Sequence, residues 1–171
     1  MAMEQILTDV RLPEIIKRIK GQTIIYTEYL GTADPNKTRI IDKISSAVEL
    51  AGFTYGFYIG EDRTGLEKFK EKKIQVLIAS RPISTGIDGL QRICHNLIFN
   101  TLPWTNAQYI QIIGRLVRTG QEKEVTIHHI LAGIKLKNSQ ELLEYRYDHL
   151  KMGRINFKKT LADCAVDGIL P

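Results

Sequence analysis

Cysteine is almost missing from this chain: two residues, Cys94 and Cys164, stand among 171. They lie far apart and without metal-ligand spacing, so neither a disulfide framework nor a zinc site is expected, and a reducing compartment is favoured. Cys94, beside the apolar run "HNLIF", reads as a small buried side chain rather than a nucleophile. Long apolar runs are missing too. None approaches the ~20 residues that a membrane helix requires, and the opening "MAMEQILTDV" has neither the basic nor the apolar region of a secretory signal. There is no internal repeat and no low-complexity segment. These absences leave a cytoplasmic protein, or a piece of one, with no membrane partner. A strong charge excess is likewise lacking: 24 Lys and Arg face 19 Asp and Glu, a net +5. That balance permits a polyanionic partner without demanding one.

What is present is apolar sequence in short blocks. At 43% hydrophobic, the chain can bury a sizeable core. "QTIIYT", "TYGFYIG", "IQVLIAS", "CHNLIFN" and "EVTIHHILA" read as strands, the middle one most clearly as a buried one. Between them fall helical patterns. "RLPEIIKRIKG" places Leu12, Ile15, Ile16 and Ile19 at helical spacing, with Pro13 in the first turn. Ile41, Ile44, Val48 and Ala51 mark a second helix ended by Gly52, and "RTGLEKFKEKK" a short charged third. Continuous apolar strands alternating with amphipathic helices predict an α/β fold, a parallel sheet with helices on both faces. Residues 1–132 form that body. Residues 133–171 are expected as a C-terminal helical extension packed on it, with a Ser139 cap and apolar positions Leu143, Tyr147 and Leu150.

Ligands of such sheets gather at the carboxyl ends of the strands, and three loops there have unusual content. "YTEYLGTADPNK" carries Thr27. "ASRPISTGIDGLQ" carries Ser84, Thr85, Gly86, Asp88 and Gly89, hydroxyls and glycines that suit close approach of backbone to a phosphate. "NTLPWTN" leads into "QYIQIIGRLVRTGQ". On a helix, Tyr109, Ile112, Ile113, Leu116 and Val117 share one arc, and Gln111, Gly114, Arg115 and Arg118 the opposite one. No acidic residue is close enough in sequence to be an obvious partner for those arginines. A solvated face with two ordinary arginines would look the same; the pairing with the hydroxyl-and-glycine loop one strand earlier points to an anionic ligand. Trp104, a lone tryptophan beside Pro103, reads as a packing anchor ahead of a base-stacking platform. His128 and His129 alternate on the last strand, one inward and one outward, without a metal-ligand companion.

"QIIGRLVRTGQ" resembles motif VI of superfamily 2 helicases and translocases, Q-x-x-G-R-x-x-R. "VLIASRPISTGIDGLQ" resembles their motif V and "TIIYTEYL" their motif IV, and "YIGEDRTGLEKFKEKKIQVLIAS" matches the lead-in to motif V. Order and spacing agree over roughly residues 20 to 131. "RTGQEKEVTIHHI" and the preceding "PW" are most similar to the Snf-type remodeller branch and related phage and bacterial helicases. Thr105 and Asn106 depart from that branch's asparagine and proline, and "STGID" is nearer the general pattern.

The resemblance implies a second, RecA-like lobe of a two-lobed motor. Its partner lobe, earlier in the same protein, would hold ATP and Mg²⁺. Neither a G-x-x-x-x-G-K-[ST] loop nor a D-E-x-[HD]-like box occurs in this chain. It further implies that Arg115 and Arg118 are catalytic arginine fingers, that Gln111 bonds the phosphates or the attacking water, and that Asp88 lies near the ribose. Thr85 and Gly86 match positions that meet a nucleic-acid backbone, with Ser84 and Thr27 beside them, DNA in preference to RNA. Gly86 and Gly114 are also expected at the nucleotide, Gly114 leaving space beside the arginines. No metal ligand is assigned. Two other readings remain: a free-standing, non-catalytic module binding nucleic acid or protein, and an unrelated α/β enzyme, for which no acid/base pair is found.

Overall fold

The computed structural model describes residues 2–32, 34, 36–137, 142–145 and 148–156. Helix α1 (Ala2–Lys17) leads into strand β1 (Thr23–Tyr26), and α2 (Ile40–Leu50) into β2 (Tyr55–Tyr58). Next come α3 (Gly65–Lys70), β3 (Val76–Ala79), a 3₁₀ turn (Arg81–Ser84), α4 (Leu90–Ile93) and β4 (Asn96–Phe99). Helix α5 (Asn106–Ile113) precedes β5 (Thr126–His129), followed by β6 (Ile134–Lys137) and β7 (Leu142–Tyr145). Strands β1 to β5 form one parallel sheet in the order β2-β3-β1-β4-β5, so β1 lies at its centre between β3 and β4.

The continuous apolar blocks have their cause here. Every residue of β1, β3 and β4 is buried, because both faces of the sheet are covered. Alternate side chains serve opposite faces. Ile25, Val76, Ile78 and Ile98 pack with Ile15 of α1 and Ile40, Ile44 and Val48 of α2. Ile24, Tyr26, Leu77, Leu97 and Phe99 pack with Phe69 of α3, Leu90 of α4, and Ile112 and Leu116. Each such isoleucine or leucine contributes roughly 1.5–3 kcal/mol by leaving water. Cys94 is buried there as expected; its thiol donates to the carbonyls of Gln22 and Asn96, and burial pushes its pKa up to about 12. Cys164 lies outside the described residues.

Two expectations need correction. Pro13 is not in the first turn of a helix; it sits inside α1, which begins nine residues before "RLPEII". The buried stripe of that earlier part is Glu4, Leu7, Thr8, Arg11 and Ile15, mostly polar and therefore masked to a hydrophobic pattern. The segment after Gly133 is not wholly helical. Strands β6 and β7 form an antiparallel hairpin, with Leu136 opposite Leu143, and a helix occupies residues 148–156. "IKLK" alternates apolar and basic residues, which is a strand period. Ser139 and Tyr147 lie outside the described residues. The last helix is tied to α1 by a buried ion pair. Asp148 accepts a fork from Arg11, from Nη2 at 2.6 and 2.7 Å and from Nε at 3.0 Å, and Nη1 of the same guanidinium donates to Glu4 at 3.1 Å. No helix among the described residues is long and apolar enough to cross a membrane.

Candidate active site and nucleic-acid interface

The loop leaving β3 and the turn leaving α5 meet at the carboxyl edge of the sheet. Thr105 caps α5 by accepting from the Gln108 amide at 3.2 Å. The helix closes at Ile113, with Gly114 as its right-handed C-cap. Arg115 and Arg118 thus sit in the turn beyond the helix, not on its face as the periodicity predicted. Leu116 between them is buried and holds the turn down, whereas Val117, expected on the same apolar arc, is half exposed.

Both arginines have partners, and both partners belong to the β3 loop. Arg115 donates from Nη2 to the Ser84 carbonyl at 2.6 Å and from Nη1 to the Ile87 carbonyl at 3.2 Å. Its Nε is buried with no hydrogen-bond partner. Arg118 donates from Nη1 to the Asp88 carboxylate at 2.6 Å, an exposed contact. The anionic partner was invisible along the sequence because the fold brings it from 30 positions away. An open depression of about 510 Å³ lies beside this pair, lined by Asp88, Gly89, Gln91, Arg92, Arg118 and Thr119.

The loop itself is shaped by glycine. Gly86 and Gly89 adopt φ of +68° and +91°, the left-handed region, and a Cβ at either would meet nothing within 4 Å. Backbone conformation, not crowding, is what requires glycine there. Thr85, Gly86 and Asp88 are consequently exposed around the buried Ile87. Gly114 has an ordinary helical φ of −62°, so its glycine serves neither conformation nor open space; a Cβ would stand 3.1 Å from the Ile110 carbonyl.

The expected site residues separate into two groups. Thr85, Gly86, Asp88, Arg115 and Arg118 converge, and Gln111 is exposed on the last turn of α5. Ser84 and Thr27 do not present their hydroxyls. Ser84 is buried and its hydroxyl donates to the Arg81 carbonyl at 2.8 Å. Thr27 is fully buried; its hydroxyl donates to the Tyr29 carbonyl at 3.0 Å and accepts from Asn100 at 3.3 Å. Neither hydroxyl is presented at the surface, because each satisfies a buried polar group of the chain.

A second cluster at the same edge escaped the sequence reading. Glu28, just past β1, has a fully buried carboxylate side chain. Its Oε2 accepts from the Tyr26 hydroxyl at 2.5 Å and from Gln108 at 3.3 Å, and its Oε1 accepts from Arg81 Nε at 2.6 Å. Burial first, then the Glu28 hydrogen bond, drives the Tyr26 phenol pKa far above its ordinary range. Glu28 raises that of Arg81. The only signal in sequence was an acidic residue in "YTEYL". Trp104 is half exposed, edge-to-face with Tyr29 at 6.3 Å, and 4.5 Å from the Lys151 ammonium. His129 stacks on Phe99 at 5.4 Å and shares a 2.8 Å hydrogen bond with the Tyr109 hydroxyl. Among the described residues no group of three or more His, Cys, Asp or Glu could hold a metal ion.

Residues 6–120 match the family described as Helicase conserved C-terminal domain, and the chain belongs to that family. It is 31% identical over 157 residues to the "Uncharacterized ATP-dependent helicase YqhH" of Bacillus subtilis strain 168, covering 92% of this chain and 26% of that protein. The chain thus spans about a quarter of that relative's length. Many solved structures share the fold, among them these two. One is the C-terminal part of the Fun30 ATPase domain, with a TM-score of 0.58 and 20% identity over 91% of this chain and 54% of that one. The other is a DEAD box protein from Methanococcus jannaschii, with a TM-score of 0.60 and 22% identity over 88% of this chain and 37% of that one.

Proposed function

We propose that this chain is the C-terminal motor lobe of an ATP-dependent helicase or translocase, completing an ATP site whose phosphate cradle and Mg²⁺ ligands belong to an N-terminal lobe. One observation carries the reading: Arg115 and Arg118, from the turn after α5, converge with Asp88 on one loop at the carboxyl edge of the sheet. Phosphoryl transfer passes through a loose transition state whose charge sits on the phosphoryl oxygens, so catalysis consists of positioning and placed positive charge. Arg118 is the better placed of the two. It is exposed, and Asp88 holds it at a groove without burying it. Arg115 braces the loop through two carbonyls and reaches the nucleotide only by releasing one of them. Gln111, exposed one turn upstream, is the candidate for orienting the attacking water, and Asp88 and Gly86 line the nucleotide edge.

Mg²⁺, when bound, neutralises the phosphate oxygens. On the motif resemblance its ligands belong to the other lobe, and no residue of this chain is assigned to it. Thr85 is exposed in the same loop; its hydroxyl donates to the Pro82 carbonyl at 3.2 Å and would turn from it to donate to a nucleic-acid phosphate, together with the Gly86 N–H. Such contacts carry no base information, as suits a motor stepping along any sequence. DNA is proposed ahead of RNA on the motif resemblance.

The test is ATP turnover by the chain alone and by the chain joined to a first helicase lobe, each with and without DNA or RNA of matched sequence. Turnover should appear only in the joined protein and rise with nucleic acid, more with DNA. Substantial turnover by the chain alone would contradict the divided site; none in the joined protein would favour a non-catalytic binding module.

A further inference from the structure

We propose that Arg81 is a phosphate contact of the nucleic-acid track, and that the buried Glu28 carboxylate is the positioning group that sets its guanidinium. The proposal rests on the reading that this lobe binds nucleic acid, and adds a residue and a device that the motif comparison does not supply. Arg81 opens the 3₁₀ turn that ends at Ser84, so it stands one turn before Thr85 on the same loop. Its side chain is 66% exposed, while the Glu28 side chain that it grips is 0% exposed.

An ordinary surface ion pair has two mobile partners and contributes little. Here one partner cannot move. Oε2 of Glu28 is committed to the Tyr26 hydroxyl and the Gln108 amide, and the Glu28 backbone N–H is held by the Thr101 hydroxyl at 2.6 Å. Oε1 therefore meets Arg81 in one orientation, at 2.6 Å from Nε and 2.5 Å from Nη2. Two of the guanidinium nitrogens are spent on the anchor, and Nη1 is left on an exposed side chain. A planar cation held by a buried carboxylate is suited to the oxygens of a phosphate, because little side-chain freedom is lost on binding. Arg81 is thus a preset cation on the same loop as Thr85 and Gly86, the residues of the proposed backbone site. Gln108 lies on α5, so the same carboxylate joins this cation to the helix that leads to Arg115 and Arg118.

Two roles for Glu28 make opposite predictions. If it only neutralises Arg81, removing its charge leaves a stronger local positive field and tighter binding. If it sets the fork, removing its charge weakens binding. The experiment is fluorescence anisotropy of the 171-residue chain with a labelled single-stranded DNA of mixed sequence across a salt series, with melting temperature recorded for each variant. Arg81→Ala should weaken binding about tenfold at low salt and flatten the log–log salt slope by ~0.7, one phosphate contact on a single strand. Arg81→Lys, on an exposed side chain and safe for folding, should keep most of the slope and still lose several-fold in affinity. Glu28→Gln should weaken binding about threefold. Unchanged affinity and slope in Arg81→Ala, or tighter binding by a folded Glu28→Gln, would overturn the proposal. If wild type binds and Thr85→Ala weakens it while the Arg81 variants do not, this proposal alone falls. If wild type does not bind, it falls together with the nucleic-acid reading beneath it.

Discussion

Arg118 and Asp88, 30 positions apart, meet at 2.6 Å on the surface beside the groove, whereas Arg115 three residues earlier is spent on backbone carbonyls. The two arginines of one motif therefore have different physical duties. Arg118→Ala and Asp88→Asn should each cost less than about 1 kcal/mol of stability, since an exposed ion pair is worth little. Arg115→Ala should cost more, about 1.5–3 kcal/mol, because charged hydrogen bonds to two carbonyls of the loop are lost. Urea unfolding midpoints at neutral pH separate the two. Equal midpoints for Arg115→Ala and Arg118→Ala would contradict this division.

The C-terminal helix should depend on the Arg11–Asp148 fork. Arg11→Ala leaves Asp148 and Glu4 buried without their cation, and should destabilise the chain by ~3–5 kcal/mol. Arg11→Met with Asp148→Asn and Glu4→Gln should recover part of that loss, because three buried charges disappear while the introduced asparagine keeps an acceptor for the Ala132 N–H. Denaturant melts of the two variants, read by circular dichroism, check the order.

Stability should fall as the solution is acidified through the histidine range. Burial, followed by the charge of His128, lowers the His129 pKa below the ordinary 6.5, and burial, followed by Arg18, lowers that of His128. The unfolded chain then binds more protons than the folded one between the lowered values and 6.5. The contribution is absent above that window, grows as pH falls through it, and is constant below. His129→Phe keeps a ring on Phe99 but removes one titration, so part of this acid sensitivity should vanish, at the cost of the Tyr109 hydrogen bond. Melting temperatures from pH 7.5 down to 5 would show it as a shallower fall.

Much of the sheet was readable because β1, β3 and β4 are apolar throughout, and burial on both faces leaves no alternative to that composition. The motif helix was readable only to Ile113. Beyond it the apolar periodicity persisted through Leu116 while the backbone turned, since one buried leucine suffices to pin a turn. The first turns of α1 were unreadable, because Glu4 and Arg11 are buried through partners whose proximity depends on the fold. Glu28 was unreadable for the same reason. Its role comes from Tyr26, Arg81 and Gln108, which lie on β1, in the β3 loop and on α5.

ATP turnover by Arg118 variants tests the account most directly. In the chain joined to a first lobe, Arg118→Ala should lower nucleic-acid-stimulated turnover by orders of magnitude, toward the ~10³–10⁵ known for arginine fingers. Its melting temperature should be unchanged. Arg118→Lys should recover little, since an ammonium cannot span two phosphoryl oxygens. Affinity for nucleic acid without nucleotide should hold. Turnover near wild type in folded Arg118→Ala would contradict the account and leave Arg118 a surface cation paired with Asp88.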